Sequence, residues 1–267
     1  MVRSFYILFF TLAGSLLVGC ENQPEKPLWQ QVKLSDLAPA EGTAPPDFSF
    51  DAVNIDIYLF EFPAENLKTF DALWPVLSNN PFDFQNYQSL KNNSINAGFG
   101  EGRTWNKLAD SLQKAQARMT QKTSLLLTEQ GGNFAPLAVV EVPRTIYYVD
   151  RHSSVRELKI PSGNLYLYCK ADKIPGSRGV VKLEVVPVFS RSEEPDKPGK
   201  NLLLSNTRSF SHLSLKLEKI SPAQFIVLAP NKKLKGDLTL SSLIFSDESM
   251  IGHRLKLFAI VCTAIRG

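Results

Sequence analysis

Between residues 51 and 132 the apolar positions change period several times. Val53, Ile55, Ile57 and Leu59 alternate with Asn54, Asp56, Tyr58 and Phe60, the two-residue rhythm of a strand. Pro63 opens the next segment, where Leu67, Phe70, Leu73, Trp74 and Leu77 fall at helical spacing on one face. Pro75 should end or kink that helix, and Asn79-Asn80-Pro81 reads as a turn. A short irregular or helical stretch runs to Asn93. A glycine-containing loop then leads into a second helix, with Trp105, Leu108, Leu112 and Ala115 on its apolar stripe. Thr123 to Thr128 reads as a strand. The expected unit over 51–132 is therefore a small α+β module of βαβαβ type.

From Asn133 onward the two-residue rhythm dominates. Strands are expected over 136–142, 145–149, 155–160, 163–171, 179–189, 205–217, 223–229, 237–245 and 253–264. Leu213, Leu215 and Leu217 alternate with Ser214, Lys216 and Glu218, which predicts a sheet with one wet face. Leu257 to Cys262 is apolar on both sides and predicts a central strand. Turn signals recur at Pro161-Ser162-Gly163, Pro175-Gly176-Ser177 and Pro195-Asp196-Lys197-Pro198-Gly199. Residues 133–267 are expected to form an antiparallel β-rich sandwich or partial barrel, giving an α+β chain overall.

The first 50 residues have a different character. Arg3 is followed by an apolar run from Phe5 to Val18, broken only by Thr11, Gly14 and Ser15. About 14 residues is short of the roughly 20 that a spanning helix needs, and the charged start fits a secretory signal over 1–19. The run closes with Leu16-Leu17-Val18-Gly19-Cys20. These residues resemble the lipobox of bacterial lipoproteins. The resemblance covers the first 20 residues and implies a diacylglycerol on the Cys20 thiol, cleavage before it and acylation of the new amino group. Glu21, where some lipoproteins carry an inner-membrane retention Asp, favours the periplasmic face of the outer membrane. Pro24, Pro27, Pro39, Pro45 and Pro46 lie among Glu, Gln, Lys and Ala, so 20–50 reads as a semi-extended tether. In layout the rest of the chain looks like other envelope lipoproteins, with no motif that carries residues across.

Composition narrows the chemistry. Three cysteines and three histidines in 267 residues are too few for a four-thiolate metal site, and no two histidines have ligand spacing. A formal charge of +4 is small, and the nearest basic block is Lys232, Lys233 and Lys235. A nucleic-acid partner needs a denser stripe, so none is expected. No cofactor is expected either.

Several residue groups are candidates for function. Gly98, Gly100 and Gly102, with Arg103, precede a helix and form a candidate anion-binding loop. The competing reading is a tight turn that needs positive φ, with Phe99 packed inward. Cys169 and Cys262 are either a disulfide in an oxidising envelope or two separate buried thiols. Asp150-Arg151-His152-Ser153-Ser154 places triad residue types side by side, but triads are assembled in space, so a polar hairpin loop is expected. His212 and His253 sit alone in strand contexts. Asp51, Asp56, Glu61 and Glu65 cluster in sequence and would matter to a hydrolase only if two converged in a cleft. Trp74 and Trp105 are expected as core anchors. Together these readings predict a non-enzymatic structural or recognition lipoprotein, accessory to a larger envelope complex. The alternatives are an envelope hydrolase with spatially assembled acids and a lipoprotein that binds a small ligand or glycan.

Overall fold

A computed structural model describes residues 52–129, 131–191, 207–232, 234, 238–247 and 253–266. Its larger sheet is built on the two most apolar strands. These are β1 (Ala52–Pro63), buried along nearly its whole length, and β13 (Arg254–Arg266), buried from Leu255 to Cys262. They pair antiparallel from Ala52↔Arg266 to Pro63↔Arg254, so the two ends of the described chain lie side by side. β3 (Arg118–Leu127) flanks β1, while β11 (Phe225–Pro230) flanks β13 and carries β2 (Ile95–Gly100) on its far side. The two-residue β12 (Ser246–Asp247) pairs with the start of β13. The second sheet runs β10 (Leu215–Ile220), β8 (Val181–Arg191), β7 (Gly163–Lys173), β4 (Asn133–Val140), with β9 (Thr207–Ser209) also on β8. β5 (Arg144–Val149) and β6 (Val155–Ile160) form a separate hairpin. All these named-strand pairings are antiparallel, and each sheet is open, as expected of a β-rich α+β fold.

The two faces of β1 sort the layers. Even-numbered side chains meet the helical layer. The Phe62 ring stands 4.9 Å from that of Phe70, and Tyr58 meets Trp105 edge-on at 6.5 Å. Trp105 opens helix α2 (Trp105–Lys114) and also contacts Phe225 of β11 at 5.2 Å. Such aromatic pairs contribute about 0.5–1.5 kcal/mol beyond area burial. In α2, Trp105, Leu108, Ser111 and Leu112 are buried while Asn106, Lys107, Asp110, Gln113 and Lys114 face water, the stripe the spacing predicts. The helix stops as Gln116 takes a left-handed φ of 54° and the Ala117 N–H bonds the Leu112 carbonyl at 2.9 Å. The opposite face of the sheet meets the second sheet. Phe258 and Leu228 from one, and Leu167, Val185 and Leu215 from the other, surround an apolar void of about 20 Å³.

Four expectations need correction. The module boundary near residue 132 is not a structural one, because β1, β2 and β3 share a sheet with β11 and β13 and the described residues belong to a single core. The expected first helix is instead two 3-10 segments, Ala64–Ala72 and Trp74–Val76, which still bury Leu67 and Phe70. The strand expected over 205–217 is broken: β9 is followed by a 3-10 turn, Ser211–Leu213, before β10. The strand expected over 237–245 is a helix from Leu240, α3 (Leu240–Phe245), nucleated by its cap. Thr239 Oγ1 accepts from the Ser242 N–H at 3.2 Å, and Ser242 Oγ accepts from the Thr239 N–H at 3.1 Å. Six residues, four of them apolar, carry no decisive period, so the cap and the space between the sheets decide. By contrast β13 is central, as its two-sided apolar pattern predicts. Helix α1 (Phe84–Asn92) occupies the stretch read as irregular or helical, capped by Asp83 accepting from the Asn86 N–H at 3.0 Å. Among the described residues no helix is long and apolar enough to cross a membrane.

Candidate functional site

A cleft of about 600 Å³ opens at one end of the space between the sheets. Its wall is assembled from β3, β4, the start of β5, β7, β13 and α3. Tyr147 anchors the mouth by donating its N–H to the Leu238 carbonyl at 2.7 Å, which ties the segment before α3 to the β5–β6 hairpin. Lys256 of β13 lies in the wall with only 8% of its surface exposed, and half-buried Arg144 enters from β5. Gln121, Asn164, Thr239, Ser242 and Ser246 add amide and hydroxyl groups. Leu137, Ile146 and Leu243 supply apolar wall, and Val139, Val142 and Leu238 stand exposed around the opening.

The charges are unevenly placed. Of the lining side chains, Arg144 and Lys256 are cationic and exposed Glu141 is the acid. Glu61, buried on β1, is the cross-strand neighbour of Lys256. Arg254 stands on the other side of Glu61, its Nε 3.8 Å from the carboxylate and its guanidinium donating to the Glu61 carbonyl at 3.0 Å. A burial this deep for a lysine is costly unless opposite charge or polar groups answer it. The cleft lining thus combines two cationic side chains, an exposed carboxylate, amide and hydroxyl groups and hydrocarbon.

A second polar cluster lies on the helical face of the same sheet. Asp56 accepts from Ser124 Oγ at 2.6 Å and from the Tyr58 hydroxyl at 3.2 Å, and pairs with Lys122 Nζ at 2.7 Å. Burial, then the Asp56 charge, pushes the Tyr58 phenol up, and the hydrogen bond to Asp56 pushes Lys122 up. These groups satisfy one another across β1 and β3, as a structural network does.

The residues singled out from sequence are dispersed. Gly98 and Gly100 lie in β2, paired with Val227 and Phe225, and Phe99 exchanges 2.8 Å backbone hydrogen bonds with Ser78 on the other side. Neither they nor Gly102 has positive φ, so the tight-turn reading is corrected. What requires glycine is close approach: a Cβ on Gly98 would lie 2.7 Å from Leu77 Cδ1, and one on Gly100 would meet the Phe225 ring. In the candidate anion loop, two of the possible donors are engaged within the loop itself. The Thr104 N–H bonds the Glu101 carbonyl at 2.8 Å, and exposed Arg103 pairs with Glu101 at 3.0 Å.

Cys169 and Cys262 are free thiols, not a disulfide. Burial pushes each up to about 12. Asp56 and Glu61 leave opposite faces of β1 and do not converge, and Glu65 is exposed on the 3-10 segment. Asp150 organises a hairpin loop: its Oδ1 accepts from the His152 and Ser154 N–H groups at 2.9 and 3.0 Å, and its Oδ2 pairs with Arg156 at 2.6 Å. Those bonds, the one to Arg156 foremost, hold its carboxyl down at about 2. His212 is half-buried 5.2 Å from the Tyr148 ring, and desolvation, then the Arg151 charge, pushes its imidazole down. His253 uses its backbone carbonyl to accept from the Ala64 N–H. Among the described residues no three His, Cys, Asp or Glu side chains gather as a metal site. Trp105 is buried and Trp74 packs against the core. Cys20, Asp51, Lys233 and Lys235 lie outside the described residues, while Lys232 is exposed.

Sequence reasoning missed Arg144 and Lys256. One signal for Lys256 was present, since it is the lone charge in the apolar run from Leu255 to Cys262. No family model, curated protein or solved structure matches this chain.

Proposed function

We propose that this protein is a membrane-tethered envelope lipoprotein with a non-enzymatic recognition role, accessory to a larger envelope complex. The observation that carries the reading is Leu16-Leu17-Val18-Gly19-Cys20 at the end of a charged start and a short apolar run. One acyl chain binds a membrane marginally, at about 0.8 kcal/mol per buried methylene, and two or more hold it stably. The proline-containing stretch after Cys20 would then space the β-rich body from the lipid surface, and Glu21 favours the periplasmic face of the outer membrane. Metabolic labelling with an alkyne palmitate tests this. The wild-type chain should take up label and Cys20→Ser should take up none. Equal labelling of both, or none in the wild type, would sink the anchor.

A second reading, a lipoprotein that binds a small ligand, is favoured by the cleft beside Lys256 and Arg144. The hydrolase reading has less support, because Asp56 is committed to Ser124, Tyr58 and Lys122 on the face opposite Glu61.

A further inference from the structure

We infer that His212 is an acid-sensitive latch: its neutral ring holds the tip of the β5–β6 hairpin against α1 and the Ser211–Leu213 turn, and protonation of the ring releases that tip. The contact is made by three rings. Tyr148 of β5 stands 5.2 Å from the His212 ring and 5.9 Å from that of Phe210, and the Phe210 and His212 rings are 6.4 Å apart. Phe210 is buried, and its N–H bonds the Pro187 carbonyl of β8 at 3.0 Å, which fixes the turn to the second sheet. Asn93, just past α1, grips the tip from the other side. Its Oδ1 accepts from the Val149 N–H and its Nδ2 donates to the Val149 carbonyl, both at 2.8 Å. The same hairpin carries Ile146 into the wall of the cleft, so the latch sits on an element that lines that opening.

A neutral imidazole donates from one nitrogen, whereas an imidazolium donates from both. His212 Nε2 is sealed from water and has no hydrogen-bond partner among the described residues. A proton there would make a buried, unanswered donor on a charged ring, a cost relieved when the ring moves out to water. The neighbouring charges do not offset it. Arg151 at the hairpin tip repels the charged ring. Asp150, the acid beside it, is already held by Arg156 at 2.6 Å and by the His152 and Ser154 N–H groups. His152 and Glu157 are exposed on the hairpin. On α1, Lys91 lies over the Tyr87 ring at 4.8 Å and Asp83 caps the N-terminus. Glu184 of β8 pairs with Lys216 of β10 at 3.3 Å, and Arg208 of β9 is exposed. Burial, then the Arg151 charge, pushes the packed imidazole down, whereas the released ring has the ordinary pKa of about 6.5. The closed tip therefore keeps its full stability above that value and loses it as pH falls below.

The test follows the full chain by nuclear magnetic resonance from about pH 7.5 to about pH 5, across the histidine range. It reads the His212 Cε1–H shift and the exchange protection of the Val149 amide, corrected for the intrinsic pH dependence of exchange. Opening of the tip should rise by up to about tenfold per pH unit below about 6.5, while the Ile226 amide in β11 stays protected. His212→Phe keeps a ring in place and takes no proton, so it should abolish the response. His152→Gln, an exposed change at the same tip, should leave the response intact. Should His212→Phe fail to fold, the wild type and His152→Gln decide. Unchanged Val149 protection across the window overturns the inference, as does a His212 ring that charges in place at or above its ordinary pKa. So does a response that survives in His212→Phe or disappears in His152→Gln.

Discussion

The space between the two sheets ends in two opposite ways. At one end Phe258, Phe245, Leu228 and Leu215 close on one another and leave only a small apolar void. At the other end the same layers part around a large polar cleft. Helix α3 stands between them: Ile244 and Phe245 line the closed end, and Ser242 and Leu243 line the open one. Leu137 of β4 touches both. One six-residue helix thus divides a closed apolar core from an open cleft. The closed end supplies the large aromatic burial, each fully buried side chain contributing about 1.5–3 kcal/mol.

The sharpest way to break this contrast is to truncate one residue at each end. Phe258→Ala should cost about 3–5 kcal/mol in urea unfolding, since Phe258 is 2% exposed and its removal enlarges an existing void. Leu238→Ala at the cleft mouth should stay within about 0.5 kcal/mol. Similar costs at both positions would show that the cleft end is as structural as the closed end. Next in size is the divider itself. Thr239→Ala removes the hydroxyl that caps α3 and should cost about 1 kcal/mol. It should also broaden the methyl resonances of Leu243 and Ile244 together, and a change confined to one of them would mean that α3 does not couple the two ends.

At neutral pH the thiols add nothing to this contrast, and their effect appears only as pH rises. Cys169 and Cys262 are raised from about 9 to about 12, so their neutral burial contributes stability that is full below pH 9 and declines as pH rises toward 12. The unfolding midpoint should fall over that window, and the double variant Cys169→Ala/Cys262→Ala should flatten the fall. Iodoacetamide should label the native thiols slowly and the urea-unfolded ones at once. Rapid native labelling would mean that water reaches the space the closed end excludes.

Much of the fold was legible along the chain. β1, β5, β6, β7, β8, β11 and β13 fall where two-residue alternation or two-sided apolar runs place them, and the buried stripe of α2 follows its 3.6-residue period. The failures have specific causes. β2 was hidden because Gly98 and Gly100 lack the side chains that mark a strand, and they lack them because Leu77 and Phe225 occupy that space. α3 was hidden because six apolar-rich residues suit either period and its cap is Thr239 with Ser242, without the acidic partner that usually signals a helix start. The cleft was legible only as one anomaly, Lys256 at the edge of an apolar strand.

Local pattern alone determined where strands run, which face of α2 turns inward and that the last strand would be central. Each of these depends on the spacing of neighbouring side chains, which any short window displays. Tertiary structure alone decided that β1 pairs with β13 across almost the whole described chain, that Asp56 and Glu61 serve opposite faces, and that Arg144 and Lys256 meet at one opening. Those facts depend on contacts between residues far apart in sequence, and a cavity is the space such contacts leave unfilled, which has no local signature.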